Sequence, residues 1–191
     1  ELLAEAGLGL AGCDAIAFGR GPGAFTGVRI AVALAQGLAL GADRPVVPVS
    51  DLAALAFGAL EAHPAEAALA CLDARMGEVY WAEATRGPGG LVLRREALGR
   101  PESVVAEAGR LVGAGHGWSA YPVLAERHAD RLVALRPELL PRASWIAALA
   151  APEVAAGRLL DPALAAPVYL RDDVATRSSR APAVSGSRSP G

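Results

Sequence analysis

The residues most suggestive of chemistry lie in the glycine-rich stretch "FGRGPGAFTG", residues 18–27. Loops of this kind at the start of a helix bind phosphate groups in many enzymes, because their backbone amides approach the ligand closely. The lysine of a GxxxxGK[ST] loop is missing, since the sequence contains no lysine. The dinucleotide pattern GxGxxG also fails, because Ala24 stands where the third glycine belongs. The stretch predicts a structural turn before a helix, with anion binding by the helix amides as the alternative.

The other reactive side chains show no spacing typical of a catalytic or metal site. His63, His116 and His128 are far apart, and no pair has the HxxxH spacing of a zinc site. No serine lies in a GxSxG pattern, and neither cysteine has an evident histidine partner. We therefore predict no catalytic residue, no metal and no cofactor.

The composition is that of a globular protein in a reducing compartment. Of the 191 residues, 53% are hydrophobic, and the net charge of −2 gives no basic footprint for nucleic-acid binding. Cys13 and Cys71 lie in apolar surroundings, which is typical of free thiols. The apolar run at 30–40 is interrupted by Gln36 and is shorter than the roughly 20 residues of a membrane span. Since no basic, apolar leader opens the chain, the sequence predicts a cytoplasmic protein without membrane contact.

Strands and helices alternate in the first third of the chain, which favours a layered α/β arrangement. We predict a strand at 15–19, a rigid exit at Gly21, Pro22 and Gly23, and a helix at 27–40 that Thr26 caps and Gly41 ends. A strand at 46–49 and a helix from residue 51 to about 61, capped by Ser50, follow.

The pattern changes after residue 63 to three β-rich segments, at 67–72, 78–85 and 91–95, which predict an antiparallel meander. A helix from about Pro101, a strand in "RLVGAG", a helical "WSAYPVLAERH" and a helix at 144–150, broken at Pro152, come next. "AIAFGRGPGAFTGVRIA" and "RLVGAGHGWSAYPVLA" both indicate a strand, a glycine turn and a helix, as a duplicated lobe would. Residues 176–191 are rich in Ser, Pro, Gly and Arg and predict a flexible tail.

The helix at 27–40 is apolar on nearly every side, with only Arg29 and Gln36 strongly polar. Ala33, Gly37 and Gly41 recur every four residues and leave a shallow strip on which a second helix can pack closely. A lobe's own sheet covers one side of such a helix, so the other side needs a neighbour. This pattern predicts an interface helix; a helix buried entirely inside its own chain is the alternative.

Three blocks of the sequence resemble the bacterial tRNA threonylcarbamoyladenosine biosynthesis family TsaB, also called YeaZ. They are "GRGPGAFTGVRIAVALAQGLALG", "LDARMGEVYWAE" and "PVYLRDDVA", and the likeness runs from Glu1 to about Ala175. The resemblance implies an α/β fold of the actin/Hsp70/sugar-kinase (ASKHA) type, with two lobes and mixed sheets. It divides the chain into the remainder of a first lobe at 1–63, a second lobe at 64–175 and the tail at 176–191. The family's amino-terminal hairpin is missing, so we expect an incomplete first lobe in a truncated chain.

The resemblance also implies a function by binding. Family members are non-catalytic subunits that position the catalytic subunit TsaD, which with the ATPase TsaE transfers threonylcarbamoyl to the adenosine beside the tRNA anticodon (t6A). Alone they form homodimers, and they touch tRNA only indirectly. The predicted partner-interface residues are Val28, Arg29, Val32, Ala33, Gln36, Gly37 and Leu40, and the structural motif before them is Gly21, Pro22, Gly23, Phe25, Thr26 and Gly27.

An enzyme of the same fold, a nucleotide-dependent phosphotransferase, is the alternative function. In such an enzyme the turn between Asp73 and Glu78 would hold phosphate with small residues and a carboxylate-bound metal. Here Arg75 and Met76 occupy that turn and would crowd a phosphate. We therefore predict a turn held by local hydrogen bonds.

Overall fold

The computed structural model describes residues 2–171, and the predicted tail at 176–191 lies outside them. The strands are β1 (Ile16–Gly19), β2 (Val46–Val49), β3 (Ala67–Arg75), β4 (Glu78–Gly87), β5 (Gly90–Gly99), β6 (Leu111–Ala114) and β7 (Leu132–Arg136). The helices are α1 (Leu2–Glu5), α2 (Phe25–Ala42), α3 (Asp51–Ala62), α4 (Gly117–Ala120), α5 (Val123–Arg127) and α6 (Ala143–Ala155). Short 3-10 turns lie at Leu10–Gly12, Pro101–Ser103 and Pro162–Leu164.

Strands β1 and β2 form a parallel two-stranded sheet with a helix on each face. Because side chains alternate along a strand, Phe18 and Val46 pack against α2 on one face. Val47 and Val49 pack against α6 on the other face, together with Ala17. Helix α2 therefore has one side fixed by the sheet.

Strands β3 to β7 form a mixed sheet in the order β5-β4-β3-β6-β7. The β3–β4–β5 part is the predicted antiparallel meander, while β6 and β7 lie parallel to β3. Leu52 and Leu55 of α3 pack on one face with Ala70, and Trp118 and Leu124 of α4 and α5 pack on the other. Two tryptophans contact the core: Trp118 is 2% exposed, and Trp145 of α6 packs beside α3.

The predicted ends of α2 were wrong. The helix begins at Phe25, because Val28 N already donates to Ala24 O, so Thr26 lies inside the first turn and caps nothing. At its other end the helix passes Gly41 and stops where Asp43 adopts a left-handed φ of 53°. Aspartate tolerates this conformation better than most residues, so no glycine was needed.

Three later predictions also differed from the structure. The helix expected from Pro101 is a single 3-10 turn. Helix α6 continues through Pro152 to Ala155, and the helical "WSAYPVLAERH" is two short helices, α4 and α5. Strand β7 was missed, because its five residues follow a helical pattern without a clear turn signal.

The predicted lobe boundary at residue 63 stays a prediction. It falls just after α3, and α3 packs both against the five-stranded sheet and against α6, which covers the two-stranded sheet. The two sheets therefore share helices across that boundary.

Candidate functional site

The glycine turn after β1 is a rigid exit held by the start of α3. Gly21 has a φ of +95°, which side chains rarely permit, so glycine is required there as predicted. Its N–H donates to Asp51 Oδ2 at 3.1 Å, and Asp51 N donates to Gly21 O at 3.0 Å. Pro22 is fully buried, and Gly23 lies against Val28. These contacts fix the direction in which α2 begins.

A cluster of partly buried charges surrounds this turn and joins the two sheets. Arg20, which follows β1, donates to Glu96 of β5 at 2.9 Å, and Ser50 donates to the other oxygen of Glu96. Burial raises the pKa of Asp51 to about 6; the Gly21 N–H and Arg20 oppose the rise, and Glu96 adds to it. Because each carboxylate already has partners within the chain, the cluster is a structural joint that positions the turn.

One side of α2 is buried in its own chain. Val28, Val32, Ala35 and Ala39 are buried and pack against the β1–β2 sheet. Val28 and Val32 were predicted to contact a partner, and the structure places them inside instead. They lie one helical turn apart on the face that the sheet covers, so no second chain can reach them.

The opposite side of α2 is apolar and exposed. Ile30, Leu34, Leu38 and Leu40 are 54%, 61%, 44% and 64% exposed. Ala33 and Gly37 lie among them, both exposed, and a Cβ added at Gly37 meets no atom within 4 Å. We call these six residues (Ile30, Ala33, Leu34, Gly37, Leu38 and Leu40) the open face of α2. Three of the predicted interface residues, Ala33, Gly37 and Leu40, belong to it.

The two polar residues of α2 contact the chain's own segment 160–171. Gln36 donates to the carbonyls of Pro162 and Ala165, both at 3.1 Å. It therefore holds this segment against the helix, although it was predicted to contact a partner chain. Arg29 is exposed and donates through Nε to the hydroxyl of Tyr169 at 2.8 Å. Of the predicted motif, Phe25, Thr26 and Gly27 are exposed in the first turn.

Segment 160–171 is the feature that sequence reasoning missed. Leu160 pairs with Val46 of β2, and Val168 N donates to Arg20 O at 2.8 Å. The segment then reaches the β3–β4 turn, where a terminal nitrogen of Arg171 forms an ion pair with Glu78 Oε2 at 2.6 Å. The alternation of small and apolar residues in this segment gave no helix or strand period, and the block "PVYLRDDVA" was its one signal.

The turn between β3 and β4 is held by local contacts, as predicted. Asp73 accepts hydrogen bonds from Arg75 N and from the Tyr121 hydroxyl, both at 2.8 Å. Burial alone would raise the pKa of Asp73, but these two donors and the charge of Arg75 hold it below its usual value. The carboxylate is thus already occupied by the chain's own groups.

Within residues 2–171, no three His, Cys, Asp or Glu side chains lie close enough to hold a metal ion. Cys13 and Cys71 are not bonded to each other, and burial raises the pKa of the Cys71 thiol. Helix α2 is long and apolar enough to cross a membrane by length and composition alone. In the structure, however, α2 packs against the β1–β2 sheet and is bonded through Gln36 to segment 160–171, as in the layer of an α/β domain.

Comparison with known proteins agrees with this architecture. A family model described as TsaD, tRNA N6-adenosine threonylcarbamoyltransferase, matches residues 1–106. The tRNA threonylcarbamoyladenosine biosynthesis protein TsaB of Escherichia coli is 43% identical over 182 residues, which cover 92% of this chain and 78% of that protein. The chain belongs to the TsaB family.

Solved structures of the TsaB family, under its second name YeaZ, share the fold. YeaZ from Pseudomonas aeruginosa has a TM-score of 0.78 at 45% identity, covering 88% of this chain and 79% of that one. Another Pseudomonas aeruginosa structure, described as similar to peptidase YEAZ, has a TM-score of 0.81 at 47% identity, covering 89% and 79%. These matches confirm the predicted α/β fold of the actin/Hsp70/sugar-kinase type.

Proposed function

We propose that this chain is a non-catalytic subunit of the t6A modification machinery, which binds a TsaD-like transferase and positions it for threonylcarbamoyl transfer to tRNA. Its membership of the TsaB family supports the pathway. The observation that carries the binding role is the open face of α2, an apolar surface on a helix whose other side is already packed. Exposed contiguous apolar surface of this kind marks sites of protein association.

The match to the TsaD family over residues 1–106 supports a partner of related fold. That region contains α2, so a TsaD-like chain is expected to carry a similar helix at the same place in its own fold. Two such helices can pack against each other closely where small residues let their backbones approach. Ala33 and Gly37 provide this strip, and Ile30, Leu34 and Leu38 form a ridge beside it.

The non-catalytic role is supported by the hydrogen bonds that groups of the same chain donate to its carboxylates. Asp73 is bound by Arg75 and Tyr121, and Asp51 by Gly21, so neither carboxylate is free to hold a metal-bound phosphate. The remaining parts of the proposal follow the family resemblance: a TsaE-like ATPase in the complex, a homodimer when the chain is alone, indirect contact with tRNA, and a cytoplasmic location.

A bulky substitution on the open face tests the proposal. Gly37→Trp and Ala33→Arg place a large side chain in the strip at two exposed positions, and a Cβ added at Gly37 meets no atom within 4 Å. We expect both variants to keep the unfolding midpoint of the wild type and to lose binding to the TsaD-like transferase of the same organism, measured by co-purification and calorimetry. Gly89→Trp is the matched control, because Gly89 also has empty space around it but lies in the β4–β5 turn.

The outcomes separate the alternatives. Loss of binding in both variants with full binding by Gly89→Trp supports the open face as the docking surface. Wild-type binding that survives both substitutions would show that another surface is used. A wild-type chain that does not bind the transferase contradicts the proposed function itself, and association with lipid vesicles in its place would assign α2 to a membrane.

A further inference from the structure

Two side chains at the start of α2 form an exposed cluster with Tyr169 of segment 160–171. The guanidinium carbon of Arg29 lies 3.7 Å from the centre of the Phe25 ring, and its Nε donates to the Tyr169 hydroxyl at 2.8 Å. The rings of Phe25 and Tyr169 are 5.9 Å apart, and their side chains remain 59% and 46% exposed. We call Phe25, Arg29 and Tyr169 the aromatic–arginine cluster.

The cluster presents an oriented cation whose terminal nitrogens have no partner among residues 2–171. Stacking on Phe25 and the bond to Tyr169 fix the plane of the guanidinium, so little side-chain entropy remains to be lost on binding. Within residues 2–171 its two terminal nitrogens make no hydrogen bond, and no carboxylate lies within ion-pair distance of Arg29. A guanidinium fork beside aromatic rings fits a carboxylate, which it can bind with two parallel hydrogen bonds.

The cluster is continuous with the open face of α2. Phe25, Arg29, Ala33 and Gly37 follow one another at four-residue intervals, which places them in one row along the helix. Arg29 is about 12 Å from Gly37 along the axis, at a rise of about 1.5 Å per residue. A helix packed along the strip of small residues therefore meets the cluster at the end of its path.

We infer that the aromatic–arginine cluster is a specificity-determining anchor, in which Arg29 binds a carboxylate on the helix of the TsaD-like partner while Phe25 and Tyr169 enclose the ion pair. The inference rests on the proposed function and adds the partner chemistry that the open face alone does not provide. Tyr, other aromatic residues and Arg are the types that carry most of the binding energy at protein interfaces.

A protein partner fits this cluster better than a nucleic acid. Bases also stack on aromatic rings beside arginine, but the row continues from Arg29 into apolar and small residues, where a phosphate backbone would find no cation. The net charge of −2 also gives no basic footprint for nucleic-acid binding by bulk charge.

The test compares binding of the full chain and its variants to the TsaD-like transferase by calorimetry, at low and high NaCl concentration. Arg29→Gln is expected to weaken binding about tenfold and to flatten its salt dependence, because the ion pair is lost. Tyr169→Phe removes only the hydroxyl that orients Arg29 and is expected to weaken binding about threefold, on the scale of one hydrogen bond. Arg142→Gln is the matched control, since Arg142 stacks on Trp145 at 5.2 Å beside α6, on the other side of the β1–β2 sheet.

Each outcome decides a separate point. Weakened binding by Arg29→Gln with a smaller salt effect, and wild-type binding by Arg142→Gln, supports the anchor. If the wild type binds and Arg29→Gln binds equally well with the same salt dependence, the anchor is wrong and the proposed function stands. A wild type that fails to bind the transferase overturns the proposed function. If Arg29→Gln loses affinity for tRNA but not for the transferase, the cluster binds nucleic acid and the inference is wrong.

Discussion

Replacing Asp51 with asparagine should make the protein more stable at neutral pH and leave it unchanged in acid. Asp51 lies where α3 begins, and its carboxylate accepts a hydrogen bond from Gly21 at 3.1 Å. Burial raises the pKa of this carboxyl from 3.8 to about 6. Asparagine keeps an oxygen acceptor for Gly21 but carries no charge that burial can penalise.

The sign follows from the proton that each state holds. Between pH 4 and 6 the folded state keeps a proton on Asp51 that the unfolded chain has lost, so the free energy of unfolding falls as pH rises through this window. A rise in pKa from 3.8 to about 6 corresponds to about 3 kcal/mol. Because the carboxyl keeps some contact with water, we expect about 1–2 kcal/mol in practice.

Urea unfolding of the wild type and Asp51→Asn, followed by circular dichroism at several pH values from 4 to 8, measures this difference. We expect the two free energies of unfolding to agree near pH 4 and to diverge up to pH 7, with the variant more stable. Asp130→Asn is the control, because it removes the same charge from an exposed carboxylate, whose Oδ2 lies 3.8 Å from Arg131 Nε. An Asp51→Asn variant that is less stable at pH 8, or whose advantage is the same at all pH values, would refute the reasoning.

Three further predictions concern how closely single positions are packed. Gly58→Ala should lower the free energy of unfolding by about 1–3 kcal/mol, because an added Cβ overlaps the Trp145 ring between α3 and α6. Gly37→Ala should instead raise the free energy of unfolding by about 0.5–1 kcal/mol, because an added Cβ meets empty space there. Trp118→Phe should cost about 1–3 kcal/mol, since it removes the buried bond from Trp118 Nε1 to Leu69 O at 3.1 Å. Urea unfolding checks all three. A Gly58→Ala variant as stable as the wild type, a Gly37→Ala variant that is no more stable than the wild type, or a Trp118→Phe variant with unchanged stability would contradict them.

Local signals in the sequence were sufficient where one residue determines the backbone. Ser50 caps α3 as predicted, because its hydroxyl accepts from Ala53 N, and the bounds of β2 were correct. Gly21 has the positive φ that the turn required. In contrast, β7 pairs with β6 in the five-stranded sheet, and α6, which continues through Pro152, packs on the β1–β2 sheet. Both depend on strands that are distant in the sequence. No local pattern contains that information.

The orientation of α2 was beyond sequence reasoning for a related physical reason. A helix that is apolar all round has no single apolar stripe, so its composition indicates that two sides are covered but not which side meets the sheet. Valine and leucine were equally acceptable on either side, and Val28 and Val32 were assigned to the partner although the sheet covers them. Residue size did not distinguish the two sides either, because small residues lie on both: Ala35 and Ala39 face the sheet, whereas Ala33 and Gly37 are exposed. The row through Ala33 and Gly37 leads to Arg29, where we propose that the partner chain makes a charged contact.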